Sequence, residues 1–496
     1  MALPRESPAS PAATAGIAPT GLAGLFLAPQ GVSSTGECLA SPFGRFCWAT
    51  FDFGRVPFVL LVTIYIFAPY FANTIVPHDP VRGQALWGDI QAFSGLFIAL
   101  LAPFIGAMAD AGGRRKPWIA AFAALIAIPS ALLWFARPAG QGLSLLEIGL
   151  CVGAANVAYE FASVFYNAML PSIAAPARIG GLSGLGLALG NASGVLLLIF
   201  MLIAFVLPGA VSWPFVPAHP LFGIGQAQHG AERLAGPIAA LSISVFAIPL
   251  FLWTPDRPPR RLGWVRASVA GIRSVFATLG SLKRFRNVAR YLVARLFFND
   301  GMTALLTFGG VYAAGTFHWG ALAMAAYGIV LSVFAVIGGF YGGWLDDRFG
   351  SKTALFVSVG GTLLTGALLI SMAPDRILWF IPYDPHAPPV HSLPLFRTWP
   401  ELIYLGIATF IAVSISASYA NARTMMARIA PADRMTEFFG LYSLSGQSTS
   451  FLATSSVTLL TLWTASQRGG MIAVLLFLSL GLIGMIWVKE ERAKVG

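Results

Sequence analysis

Long apolar runs alternate with short polar breaks along this chain, and the runs have the length of a lipid bilayer. A spanning helix needs roughly 20 apolar residues. Twelve such runs are found, at 50–75, 87–110, 116–136, 143–170, 180–208, 235–253, 288–315, 321–346, 352–373, 399–424, 437–463 and 470–488. Several are interrupted by glycine or proline, which lipid permits where neighbouring helices satisfy the freed backbone groups. The expected organisation is a disordered tail (1–45), a six-helix bundle (46–254), a basic central loop (255–287), a second six-helix bundle (288–490) and a short tail (491–496). The apolar piece Leu22–Ala28 has no basic stretch close before it, so it reads as part of the tail and not as a leader.

Polar residues inside the runs follow helical spacing. Positions i, i+4, i+7 and i+11 share one helix face, and in span four Asn156, Glu160, Ser163 and Asn167 fit that series. In span seven, Arg295, Asn299, Asp300, Thr303 and Thr307 cover one broad arc; in span ten, Ser414, Ser418 and Asn421 repeat the pattern. Such stripes must face a cavity or another helix. The glycines form a different pattern. Gly186, Gly190 and Gly194 in span five, and Gly338/Gly342 and Gly339/Gly343 in span eight, are small-xxx-small steps and predict packing seams.

The polar breaks carry an internal repeat. GAMADAGGRRKPW (106–118) is echoed by GGWLDDRFGSKTA (342–354). Setting Asp110 over Asp347 places Gly106 on Gly343, Gly113 on Gly350 and Arg115 on Lys352. FDFGR (51–55) corresponds loosely to FNDGM (298–302), and AAPARIGGLSGLGLALGN (174–191) to APADRMTEFFGLYSLSGQ (430–447). Parallel repeats of this kind are a transporter architecture with the substrate site at the repeat interface. The expected fold is an all-α membrane protein of 12 transmembrane helices in two pseudo-symmetric six-helix bundles.

Composition agrees. Of 496 residues, 57% are hydrophobic and only 10% charged, against about 25% charged in soluble domains. The net charge of +11 reads as topology, with no nucleic-acid partner. The segment from Thr254 to Arg290 carries nine cations against one acid, Asp256. Together with Arg114–Lys116, Arg348/Lys352 and Arg428/Arg434 it falls on one side, so the positive-inside rule places both termini in the cytoplasm. The three cysteines, Cys38, Cys47 and Cys151, have no metal-site spacing, and no disulfide, metal or cofactor is expected.

The repeat resembles the major facilitator superfamily, whose loop between spans two and three usually reads Gly-x-x-x-Asp-x-x-Gly-Arg-Arg/Lys. Gly106, Asp110, Gly113, Arg114 and Arg115 match in full; in the second copy (Gly343, Asp347, Gly350, Lys352) Ser351 replaces the first cation. Within the superfamily, WATFDFGRVPFVLLVTIYIFAPYF, VFYNAMLPSIA, ARLFFNDGMTALLTFGGVYAAGTF and MARIAPADRMTEFFGLYSLSGQSTSFL are similar to the autophagy-related vacuolar amino-acid effluxer family and its bacterial relatives. Gly54, Arg55 and Val56, and the segment SYANART, depart from that family's usual residues. The resemblance implies a central cavity lined by spans one, four, seven and ten, and an inner gate at the motif, more weakly held in the second copy. It also implies a monomer in the bacterial inner membrane that exports amino acids or similar small solutes.

Physically, Gly106 lets the neighbouring helix approach and Gly113 permits the tight turn. Asp110 can sit at the N-terminus of a helix of the other half, which carries roughly half a positive charge. Four ionisable groups occupy the cavity helices: Asp52, Glu160, Arg295 and Asp300. Asp52 and Arg55, three apart, can pair with each other. Arg295 can neutralise Asp300 or bind a substrate carboxylate. Glu160 is the first candidate for a proton carrier, since it lies well inside span four, whose helix offers no cation. Tyr166 is the candidate aromatic wall. The expected function is secondary active transport of a small solute by alternating access, coupled to protons. The alternatives are a lipid flippase and a non-transporting assembly or receptor protein on the same fold. An intramembrane enzyme is not expected, because the chain has neither His-Glu-x-x-His nor Gly-x-Ser-x-Gly.

Overall fold

A computed structural model describes Ser33, Thr35 and residues 39–490, apart from 77–79, 139–141, 210–213, 225–228, 259–263, 281–283, 320, 393–394 and 448–449. Most of the expected N-terminal tail and all of residues 491–496 lie outside the described residues.

Every expected apolar run is helical. Spans one to six are Pro42–Ile75, Pro80–Gly112, Lys116–Phe135, Leu145–Ile173, Pro176–Val206 and Gly230–Trp253. Spans seven to ten are Arg286–Phe317, Ala321–Phe349, Ser351–Ile370 and Trp399–Ile429. Span eleven is described over Met435–Gln447 and Ser450–Thr464, and span twelve is Gln467–Ile486. Among the described residues, ten helices are long and apolar enough to cross a membrane, and span seven is diluted by Arg295, Asn299 and Asp300. The spans fall into two six-helix halves, as the repeat requires.

Several details differ from the expectation. Span one starts at Pro42, where Ser41 caps it by accepting from the Gly44 N–H. It then rewinds, with π-helical turns over Phe58–Tyr65 and Phe71–Ile75. Pro57 and Pro69 each remove a donor from its ladder. The central segment, expected as a loop, contains a helix, Trp264–Gly280 (the connector helix), which packs along span two. The long loop after span nine carries a short antiparallel pairing, Ile377 with Ile381.

The expected glycines do lie at helix seams, and the structure shows which neighbours they meet. Gly186, Gly190 and Gly194 face span one: a Cβ on Gly190 would stand 2.7 Å from Val56, and one on Gly194 would collide with Leu60. The seam between spans five and eight uses Gly184 instead, where a Cβ would lie 2.3 Å from the Gly339 carbonyl. Gly338 and Gly342 face Val413 and Ala417 of span ten. A second close approach between the halves joins span two to span eleven: a Cβ on Gly106 would sit 2.3 Å from the Thr436 carbonyl. Every third or fourth residue of span five between Gly180 and Gly194 is small. Spacing alone does not say which small face meets which neighbour.

Candidate functional site

The two copies of the motif lie at one end of the molecule, here termed the motif end, where the halves are closed on each other. Asp110 is buried, and its Oδ2 accepts the Glu437 N–H at 2.8 Å. Glu437 is the third residue of the helix Met435–Gln447, so the carboxylate meets a free amide at the positive end of that helix's dipole. The second copy mirrors this: Asp347 Oδ2 accepts the Gly181 N–H at 2.9 Å, in the first turn of Ile179–Met201. Each half thus caps a helix of the other. Gly113 and Gly350 make the turns at φ +88° and +89°, a region in which a side chain is strained.

The cations are arranged differently from the sequence alignment. Arg115 is fully buried. Its Nε donates to Thr436 Oγ1 across the halves at 3.0 Å, and its Nη1 to the Ala168 carbonyl at 2.8 Å. Arg114 is exposed and takes no part. Lys116 Nζ reaches the Phe251 carbonyl at the end of span six (2.9 Å), while Asp256 accepts the Arg115 and Lys116 N–H groups. In the second half Lys352 Nζ reaches the Val488 carbonyl at 2.7 Å, and Glu490 accepts the Ser351 and Lys352 N–H groups. Lys352 therefore does the work of Lys116, not of Arg115, because fewer residues separate the turn glycine from the helix. The adjacent acid pair also divides the labour. Asp347 crosses to the other half, while Asp346 is held in its own half by Ser351, Thr424 and Arg428, the last at 2.5 Å. The first copy crosses with both its carboxylate and its cation, the second with its carboxylate.

The connector helix adds a third element. Ser274 and Thr278 donate to the two carboxylate oxygens of Glu437, at 2.6 and 2.5 Å. On the same face, one and two turns back, Gly271 packs against the Met108 backbone of span two.

Between the motif end and the centre lies a buried ion cluster. Asp52 of span one meets Arg55 through Oδ1, with the Arg55 Nε at 3.1 Å, and meets Arg423 of span ten through Oδ2 at 3.3 Å. Arg423 also donates to Asn167 Oδ1 (3.2 Å), Ser183 Oγ (2.9 Å) and the Ser183 carbonyl (2.5 Å). Arg55 donates to Ser163. The relative exposures of Asp52, Arg55 and Arg423 are 1%, 7% and 6%. Tyr166 stacks on Trp48 at 4.1 Å between the rings and flanks both guanidiniums, each 5.6 Å from its centroid. Two buried guanidiniums share one carboxylate, so the cluster carries an excess positive charge.

The predicted stripe of span four is split. Ser163 and Asn167 hold the arginines, whereas Asn156 donates to Gln91 of span two at 3.1 Å. Glu160 lies between them, half-buried. In span seven Arg295 turns to span eleven, donating to the Tyr442 carbonyl and Ser445 Oγ, both at 2.7 Å, with its guanidinium 3.4 Å from the Tyr442 ring centroid. Asn299 reaches toward the Gly446 carbonyl, Asp300 is fully buried and Thr303 is half-buried. In span ten Ser418 bonds back to the Ser414 carbonyl of its own helix, and Asn421 is fully buried. Apart from Thr307, which is exposed, the polar stripes point inward, but Arg295, Asn299 and Asp300 do not join the Asp52 cluster. Sequence reasoning missed Arg423, Ser183, Asp346 and Arg428. Arg423 stood within SYANART near the end of span ten.

The chain matches the family model described as vacuole effluxer Atg22 like over residues 175–496. It is 21% identical to an uncharacterised MFS-type transporter, YxiO, of Bacillus subtilis (strain 168), over 90% of this chain and 95% of that one. It is 23% identical to autophagy-related protein 22 of Schizosaccharomyces pombe, over 42% of this chain and 36% of that protein's length. Among solved structures, a bacterial homologue of the iron transporter ferroportin in an outward-facing state superposes with TM-score 0.63 at 13% identity, covering 90% of this chain and 98% of the other. The transporter FucP in an outward conformation gives 0.59 at 13% identity, covering 91% and 99%. The fold, the duplicated motif and the family match converge: the chain belongs to the vacuole effluxer Atg22-like family and is a membrane transporter of the major facilitator type.

Proposed function

We propose that this transporter exports a small carboxylate-bearing solute, an amino acid or a similar compound, across a bacterial inner membrane, with the motif end and both termini in the cytoplasm. The observation that carries the reading is the excess cation of the Asp52–Arg55–Arg423 cluster, which lies where spans one, four, five and ten meet. Arg55 keeps its acid within one half, since both lie on span one. Arg423 takes its acid from the opposite half, so parting the halves strips it. A buried guanidinium without a counter-charge costs several kcal/mol, and a solute carboxylate entering between the halves can take the place of Asp52. The basic loops clustered at the motif end support the orientation. The halves rock as two bundles about this centre, and the protein works as a monomer.

Glu160 carries the coupling proton in this reading. It shares the face of span four that holds the arginines, and Tyr159 beside it stacks under Arg55 at 4.4 Å. The test is counterflow in proteoliposomes with amino acids, peptides, sugars and nucleosides. A carboxylate-bearing solute should exchange, and Glu160→Gln should keep exchange while losing its response to a pH gradient. Exchange of neutral sugars alone would refute the solute class. A pH-driven flux that survives Glu160→Gln would remove that residue from the mechanism.

A further inference from the structure

Arg114 matches the family motif yet stays outside the gate. Two adjoining cavities of about 440 and 220 Å³ share it. The larger is a wedge between the first turn of span three and the end of span six, lined by Arg114, Lys116, Pro117, Phe251, Asp256 and Arg257. Its acid is already occupied, because Asp256 accepts the N–H groups of Arg115, Lys116 and Arg257. Three cations therefore face one carboxylate that is held by backbone amides. Pro117, Ala120 and Phe251 give the wedge an apolar wall, and Trp253, 49% exposed at the end of span six, marks headgroup depth. On the connector helix next to the smaller cavity, Val269, Ile272 and Phe276 form an exposed apolar stripe flanked by exposed Arg266 and Arg273. That pattern suits a helix lying in the interface of an anionic leaflet.

We propose that the Arg114 wedge binds the phosphate of an anionic phospholipid of the leaflet on the motif side. The phosphodiester sits among Arg114, Lys116 and Arg257, and one acyl chain runs down past Ala120 and Phe251. The site also reports on the gate, because Arg257 Nη2 donates to the Ala432 carbonyl of the other half at 3.1 Å. Lipid bound there favours the closed motif end. The inference is independent of which solute is carried.

The test uses the full chain in phosphatidylcholine nanodiscs, titrated with phosphatidylglycerol and read by thermal shift and by native mass spectrometry. Phosphatidylglycerol should raise the melting temperature and stay bound on ejection. Arg114→Gln, at an exposed site, should weaken that binding at least tenfold without moving the melting temperature in phosphatidylcholine alone; Arg257→Gln serves as an independent second variant. An equal shift from inorganic phosphate would overturn the lipid assignment in favour of a soluble-anion site. Equal binding of phosphatidylglycerol by the parent and both variants would overturn the site itself.

Discussion

Replacing Arg423 by glutamine tests the central cluster most directly. Its four polar contacts go to Asp52, Asn167 and Ser183, all in the opposite half. A hydrogen bond to a charged group is worth about 1.5–3 kcal/mol, and such terms do not add. Glutamine can still reach one or two of these partners, so a net loss of ~3 kcal/mol in closing the motif end is expected. At 1.4 kcal/mol per factor of ten, the closed state should lose roughly 100-fold in population relative to the open one. Asp52 keeps Arg55, so the variant does not orphan the acid. Amide hydrogen exchange reads the outcome at two reporters, the N–H groups of Gly181 and Glu437, because each donates to a carboxylate of the other half. Both should exchange about 100-fold faster if closure protects them. Arg55→Gln is the control: its partners Asp52 and Ser163 lie in its own half, and neither reporter should accelerate. Exchange at Gly181 and Glu437 unchanged in Arg423→Gln would show that the cluster does not hold the halves together.

Two further outcomes follow from the gate. Gly106→Val places a branched side chain against the Thr436 carbonyl, where even a Cβ would stand at 2.3 Å. It should block closure and cut exchange in proteoliposomes by at least tenfold, while the melting temperature stays near that of the parent. Arg428→Gln removes the cation beside buried Asp346 and should destabilise the protein by about 3–5 kcal/mol, seen as a lower midpoint of thermal unfolding; an unshifted midpoint would contradict the ion-pair reading.

Much of the architecture was legible because lipid imposes a strict rule on backbone and side chains. Apolar length located the spans, and the duplicated motif located contacts between the halves, including the dipole contact of Asp110. The misses share one cause. Helix N-terminal caps, turn lengths and partner choice depend on where the other half sits, and one-dimensional spacing does not encode that. The alignment put Lys352 on Arg115, yet it serves as the partner of Lys116. Arg295 had either Asp300 or a solute carboxylate open to it in the sequence, and the contacts it makes to Tyr442 and Ser445 belong to span eleven. Arg423 went unnoticed because a cation near a span end reads as topology until Asp52 and Ser183 are seen to meet it.

Glu437 is used twice over, through its backbone by span two and through its side chain by the connector helix. Parting the halves has to free that amide from Asp110, while the carboxylate can keep its hold on the connector helix. The connector helix is thereby fastened on both sides of the seam, to the first half at Gly271 and to the second at Glu437, so every opening has to loosen one hinge pin or the other.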